Sequence, residues 1–194
     1  MTDFYGRQPL ISEPGAKWAY SNAGINTLGR IIEVVSGETY GDFVQRRFLE
    51  PLGMDSTSFW PTVEMVGRMA TPYRKDKATG ELVAAGNSRF SEPLADRRRT
   101  AIPAGGLFST AEDLTQLYQM ILLGGELDGR RYLKAETLRL MATNQLGDLP
   151  KVSFAPGMHM GQGFHVVHAP QGVTENLSPG TFGHGGAYGT QAWI

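Results

Sequence analysis

Cysteine is missing altogether from the 194 residues. That excludes a disulfide, a thiolate metal site and a cysteine nucleophile, and with them a branch of enzyme chemistry. Secreted proteins without disulfides exist, so cysteine usage leaves the compartment open. Also missing is an excess of one charge: 18 Lys and Arg stand against 19 Asp and Glu, a formal net of -1. With no overall field to select nucleic acid or an anionic membrane, a small, near-neutral ligand is the expected partner. No stretch approaches the roughly 20 apolar residues that cross a bilayer. The opening residues Met1 to Gly6 carry neither a basic segment nor an apolar one of the kind that directs export. Gly-x-Ser-x-Gly, the elbow that presents a serine in one large class of hydrolases, does not occur either. What is present, 41% hydrophobic and 10% aromatic residues, suits a globular core.

Helices are the best-marked elements. From Asn22, apolar residues at Ile25, Leu28, Ile32 and Val35 form one stripe, and Gly37 stands where a left-handed residue would end the helix. Thr39 and Asp42 resemble a capping box ahead of Phe43, Val44 and Phe48, with Pro51 as the stop. Ser109, Thr110, Glu112 and Asp113 open a helix whose expected buried stripe is Leu114, Leu117, Tyr118, Ile121 and Leu122, closed by Gly124 and Gly125. Asp128-Gly129 signals a turn, and Ala135 to Thr143 a further short helix. The stretch 75–99 mixes charges with Gly80, Gly86 and Pro93 and follows no period, which predicts an irregular surface excursion. Gly161 to Val167 and Tyr188 to Ile194 read as strands, and the last of these ends in mid-run, as if the chain were cut there. Met54, Met120 and Met141 lie beside apolar partners and read as core filling.

Tyr20-Ser21-Asn22 opens the first of these helices and admits two readings. Ser21 or Asn22 is an ordinary N-cap, and Tyr20 can simply pack with its hydroxyl bonded. The neighbours favour more. Pro14-Gly15, Trp18, Tyr20-Ser21-Asn22, Gly24, Leu28-Gly29, Ser36-Gly37, Tyr40 and Pro51-Leu52-Gly53-Met54 come first. Ala104-Gly105-Gly106-Leu107, Ser109-Thr110, Asp113-Leu114 and finally Gly183-His184-Gly185-Gly186 follow in order. Together they resemble the β-lactamase-like serine hydrolases, the family of class C β-lactamases, D-alanyl-D-alanine carboxypeptidases, D-aminopeptidases and family VIII carboxylesterases.

The resemblance implies an α/β fold of the α+β type, β-lactamase/transpeptidase-like, with a helical region, an antiparallel sheet and the cleft between them. Residues 1–194 then form one partial hydrolase domain, incomplete at both ends and with apolar faces left uncovered. About 14–150 would supply most of the helical region, and about 158–194 two or so strands of the sheet. In that family a Ser-x-x-Lys motif holds the nucleophile, Tyr-x-Asn lines the cleft, and Lys-Thr-Gly or His-x-Gly lies on an edge strand. Tyr20 and Asn22 match the second motif, and His184, Gly185 and Gly186 the third. The first is not found: none of the ten serines has lysine three positions on. Only 19 residues precede Tyr20, so the nucleophile is expected in sequence outside this chain.

A serine hydroxyl needs a base to take its proton as it attacks a carbonyl carbon. Tyr20 is the candidate base or relay, Asn22 the group that holds lysine and substrate together, and the Ala187 amide a candidate oxyanion donor. His184, Gly185 and Gly186 are the candidate substrate-binding residues, the glycines leaving room for a substrate backbone. Otherwise 183–186 is a glycine-rich turn. An imidazole of ordinary pKa about 6.5 is mostly neutral at pH 7, unlike lysine, which points to neutral esters or small amides rather than carboxylate-bearing penicillins. No cofactor or metal is expected: His159, His165 and His168 lie six and three apart and read as surface or packed residues. Arg97-Arg98-Arg99 reads as a solvated face, with an anion site as the other possibility. The expected partner is a small ester or amide, with no nucleic acid and no membrane segment. The implied activity is acyl-enzyme hydrolysis by the parent protein, or, in a non-catalytic relative, binding of peptide-like or acyl ligands without turnover.

Overall fold

Side-chain oxygens set where the helices begin. In the computed structural model, which describes residues 2–85, 93–152, 155–186 and 189–194, a short helix α1 (Thr2–Tyr5) and a strand β1 (Trp18–Ala19) precede α2 (Asn22–Ser36). Ser21 Oγ accepts from the Gly24 amide at 3.0 Å, and Gly37 closes α2 with φ of 74° and its amide on the Glu33 carbonyl. Both ends of α2 are as the sequence predicts. Thr39 caps α3 (Tyr40–Val44), which runs on as a π-helical turn over Gln45–Leu49 before Pro51. Thr62 caps α4 (Val63–Gly67), and Thr110 caps α5 (Ala111–Leu122).

The stretch after Pro72 is more regular than its composition suggests. β2 (Tyr73–Lys75) and β3 (Leu82–Ala84) form a hairpin, with Tyr73 opposite Ala84. Its turn is built by Asp76, whose carboxylate accepts from the amides of Ala78 and Thr79. Side chains that local and exposed leave little periodic signal, which is why the hairpin reads as an excursion. The Asp128-Gly129 turn joins β4 (Glu126–Leu127) to β5 (Arg130–Arg131) with positive φ at both residues, as a type I′ hairpin needs. Then come α6 (Ala135–Met141) and β6 (Lys151–Val152), which pairs in parallel with β1. The remaining strands are β7 (Met158–Met160), β8 (His165–Val167), β9 (Phe182–Gly185) and β10 (Gln191–Trp193). These four form one antiparallel sheet in the order β10-β9-β8-β7, more than the two or so strands expected, with 161–164 a connection rather than strand.

The core joins the two regions. Leu49, Leu52, Met54, Met120, Ile121, Leu127 and Leu138 are buried together, and Phe182 of β9 packs against them with Phe164 and Ile194, which flank β8 and β10. Met54 and Met120 fill that core as expected, at 3% and 0% exposure. Asp113 ties α5 to the preceding chain: its buried carboxylate accepts from the Ser56 amide at 2.9 Å and the Thr57 hydroxyl at 2.6 Å. The predicted stripe of α5 holds at Ile121, which is buried, and at Leu114, Leu117 and Tyr118, which are half-buried; Asp113 and Met120 are buried beside it and Leu122 is exposed.

Helix α2 departs further. Its buried residues are Asn26 and Gly29, not the predicted Ile25, Leu28 and Val35. Asn26 accepts from the Ala104 amide at 3.0 Å, and a Cβ on Gly29 would lie 2.2 Å from Pro103 Cγ, so the Pro103 loop rests directly on the helix backbone. Ile25, Leu28, Ile31, Val34 and Val35 face outward.

Candidate active site

Capping frees Tyr20. With Ser21 Oγ occupied by the Gly24 amide, the turn between β1 and α2 is fixed, and Tyr20 stands outside it with 56% of its surface exposed. On the strand side, Trp18 is anchored by its amide on the Pro150 carbonyl at 2.8 Å. Tyr20 thus projects from a rigid corner, next to Asn22, the exposed first residue of α2. Across from it stands His184 of β9: the two ring centroids are 6.0 Å apart with planes at 48°. The sequence stretches around positions 20 and 184 therefore meet in space.

β9 is not an edge strand along its whole length. It pairs with β10 through Gln191↔Gly185, Ala192↔His184 and Trp193↔Gly183, and with β8 through His165↔Gly183 and Val166↔Phe182. The β8 ladder stops at Gly183, so beyond it His184 and Gly185 carry the ladder to β10 alone, and the edge expected from the resemblance is confined to that end. His184 Nδ1 lies 2.6 Å from the Gly185 carbonyl. A carbonyl only accepts, so Nδ1 holds the hydrogen and the lone pair of the neutral ring sits on Nε2.

The glycines of 183–186 answer first to the protein itself. A Cβ on Gly183 would sit 2.1 Å from the Ala192 carbonyl oxygen, and one on Gly186 would sit 2.0 Å from Thr190 Oγ1. On Gly185 it would meet only the end of the Gln191 side chain, at 3.2 Å, a group that can swing aside. Room for a substrate backbone is thus a sufficient reason for glycine only at position 185. Ala187 lies outside the described residues.

A third ring belongs to the cluster and was missed by sequence reasoning. His165 of β8 stacks on His184, centroids 4.7 Å apart at 16°. Only the β8–β9 register brings them together, which no local signal encodes. His159 and His168 stack likewise, at 4.2 Å and 15°. Ring lone pairs lie in the ring plane, so two parallel stacked imidazoles cannot aim at one ion between them. The three arginines are engaged by their own neighbours. Arg98 pairs with Asp96 at 2.6 Å and holds that carboxyl down to about 2, Arg97 lies over Trp60, and Arg99 Nη1 donates to the Phe59 and Leu94 carbonyls.

Burial, and secondarily the charge on His184, lowers the pKa of His165 below the ordinary imidazole value. The unfolded chain therefore binds a proton that the folded protein resists. Stability from this residue is complete above about pH 6.5 and is lost as pH falls through the lowered value. Urea midpoints are expected to drop between about pH 7.5 and about pH 5.5. His165→Gln should flatten that drop without abolishing it, because burial also lowers His159, with the charges on His168 and Lys151 adding to it. A slope untouched by the substitution would remove His165 as its cause.

The family model described as Beta-lactamase matches residues 1–194. Protein Rv1367c of Mycobacterium tuberculosis is 33% identical over 191 residues, covering 94% of this chain and 46% of that protein. Lovastatin esterase of Penicillium rubens is 31% identical over 117 residues, covering 59% of this chain and 28% of its own. Among solved structures, D-amino acid amidase of Ochrobactrum anthropi with D-phenylalanine superposes with a TM-score of 0.67 at 26% identity, covering 96% of this chain and 49% of the amidase. The chain thus spans less than half the length of the curated relatives it matches. A helical region packed on an antiparallel sheet, a tyrosine corner facing a His-Gly-Gly strand and a family match running from the first residue to the last agree on one conclusion: the chain belongs to the beta-lactamase family.

Proposed function

We propose that these residues are the cleft-lining part of a serine hydrolase that cleaves an ester or small amide through an acyl-enzyme, with the serine and its lysine supplied by sequence outside this chain. The observation that carries the reading is the facing of Tyr20 and His184, 6.0 Å apart at the ring centroids, from a turn and a strand 164 positions apart in sequence. In this scheme the serine oxygen attacks the carbonyl carbon while its proton passes to the Tyr20 oxygen, held basic by the neighbouring lysine. The same proton returns to the departing alcohol or amine, and water then releases the acyl group by the reverse route. Asn22 offers two donors and an acceptor to the lysine and the substrate carbonyl. The amide of Ala187 serves as one donor to the oxyanion, a contribution of about 3 kcal/mol in the transition state. His184 offers Nε2 in place of the fixed charge of a lysine, which suits an uncharged ester or amide better than a carboxylate.

A second reading is binding of peptide-like or acyl ligands without turnover, favoured for the 194 residues alone because no serine in them is followed by lysine at the required offset. Hydrolysis of p-nitrophenyl acetate and of nitrocefin separates the two. Joined to a segment bearing Ser-x-x-Lys, the protein is expected to hydrolyse the ester with a burst of nitrophenol, and nitrocefin poorly. Without that segment no burst is expected. If the joined form shows neither burst nor turnover, the binding reading replaces the hydrolase one.

A further inference from the structure

Of the two imidazoles that stack beside Tyr20, one is held far more firmly than the other. His165 is laddered on both sides, opposite Met160 of β7 and Gly183 of β9, and the buried Val166 and Val167 follow it. His184 lies past the end of the β8–β9 ladder and is paired to β10 alone, through Ala192. Gly183, directly opposite His165, brings no side chain to cover the His165 ring as a cross-strand neighbour would. The ring stacks on His184 instead, 4.7 Å away at 16°.

Two contacts at right angles then set the His184 ring. Rotation of an imidazole about its Cβ–Cγ bond is only weakly restricted, and a single hydrogen bond leaves the ring able to tilt about the line of that bond. For His184 the bond is the 2.6 Å contact of Nδ1 with the Gly185 carbonyl, directed along the ring plane because ring nitrogens bond in their own plane. His165 lies against the ring face, perpendicular to that direction, and blocks the tilt. Nε2 is thereby aimed one way, and among the described residues no hydrogen bond is made to it. The supporting ring is uncharged at neutral pH, since burial lowers the pKa of His165, so the stack carries no repulsion between like charges.

We propose that His165 is the positioning residue of the site: by lying flat on His184 it fixes the direction of Nε2, which accepts from an N–H of the ligand. An amide with a hydrogen on nitrogen is then favoured over an ester of the same shape. This rests on the hydrolase reading for the reaction served, but not for the setting of the ring.

His165→Leu keeps apolar bulk and removes the flat face, whereas His165→Phe keeps a flat face without nitrogen. At about pH 8, above the ordinary imidazole range, ¹⁵N spectra of the histidine rings are expected to show His184 as one tautomer in the parent and in His165→Phe, with the hydrogen on Nδ1. In His165→Leu both tautomers should appear, with the β8–β9 amide signals in place. His168→Leu removes the other stacked pair, at the opposite end of β8, and should leave the His184 signals unchanged. In the form that carries Ser-x-x-Lys, 4-nitroacetanilide competes with p-nitrophenyl acetate, from which it differs by an N–H in place of the ester oxygen. Its Ki should rise about fivefold in His165→Leu, the size of one net hydrogen bond, and return to about the parent value in His165→Phe, while KM for the ester holds in both. The proposal is overturned if His184 keeps one tautomer in His165→Leu, if the Phe variant loses as much as the Leu variant, or if anilide and ester weaken alike. Tyr20→Phe separates the two claims. Unaltered ester turnover in that variant sinks the acyl-enzyme reading and leaves the tautomer result standing, whereas Tyr20-dependent turnover with a His184 ring indifferent to His165 sinks only the positioning role.

Discussion

Tyr20→Phe is expected to lower kcat for p-nitrophenyl acetate about a hundredfold or more in a form that also carries Ser-x-x-Lys, with KM little changed. The magnitude follows from what is deleted. One oxygen leaves, and with it the group that would hold a proton during attack, a role typically worth 10²–10⁴ in rate. The fold should not respond. Tyr20 is 56% exposed, its ring contact to His184 survives in Phe, and the turn is held by Ser21 Oγ and by the Trp18 amide, neither of which the substitution touches. A matched thermal midpoint with a collapsed kcat is therefore the expected pair of results. A loss below about threefold would take the phenol out of the mechanism, since no proton-transfer role is that small.

Gly183→Ala should cost about 1–3 kcal/mol of stability, the range seen when a methyl is forced into a space already filled. The added Cβ would meet the Ala192 carbonyl oxygen at 2.1 Å and Trp193 Cα at 2.9 Å. Both are backbone atoms of β10 and cannot swing aside. β10 must shift, which breaks the ladder at Ala192↔His184 and turns the His184 ring away from Tyr20. Denaturant unfolding measures the first effect, and loss of the ester burst in the joined form the second. Gly185→Ala is the control: its Cβ meets only the end of Gln191, at 3.2 Å, so stability should stay near that of the parent. If the two variants unfold alike, close approach of β10 is not what requires glycine at 183.

Which parts were legible from residues alone follows from how far each signal reaches along the chain. Helix ends are local, and the caps at Ser21, Thr39 and Thr110 and the stop at Gly37 fall where the sequence puts them. Which side of a helix is buried depends on what packs there. For α2 that is Pro103, some 74 positions beyond Gly29, and the periodic pattern carries no information about it. The β2–β3 hairpin escaped notice because its side chains are nearly all exposed, so no alternation arises. At the candidate site, Tyr20, Asn22 and His184 are nominated by the family resemblance, and the structure brings Tyr20 to within 6.0 Å of His184 at the ring centroids. His165 reads in sequence only as a surface or packed residue, because strand register, not any local signal, brings it onto His184.

The outward face of α2 has a consequence for handling the protein. Ile25, Leu28, Ile31, Val34 and Val35 lie along one flank of a 15-residue rod, and a net charge of -1 provides almost no mutual repulsion. Attraction between such flanks is driven by expelling water, so sulfate should tighten it where it would loosen a pairing of opposite charges. Light scattering from this protein is therefore expected to rise with ammonium sulfate and on warming from the cold room, and to fall again in mild non-ionic detergent.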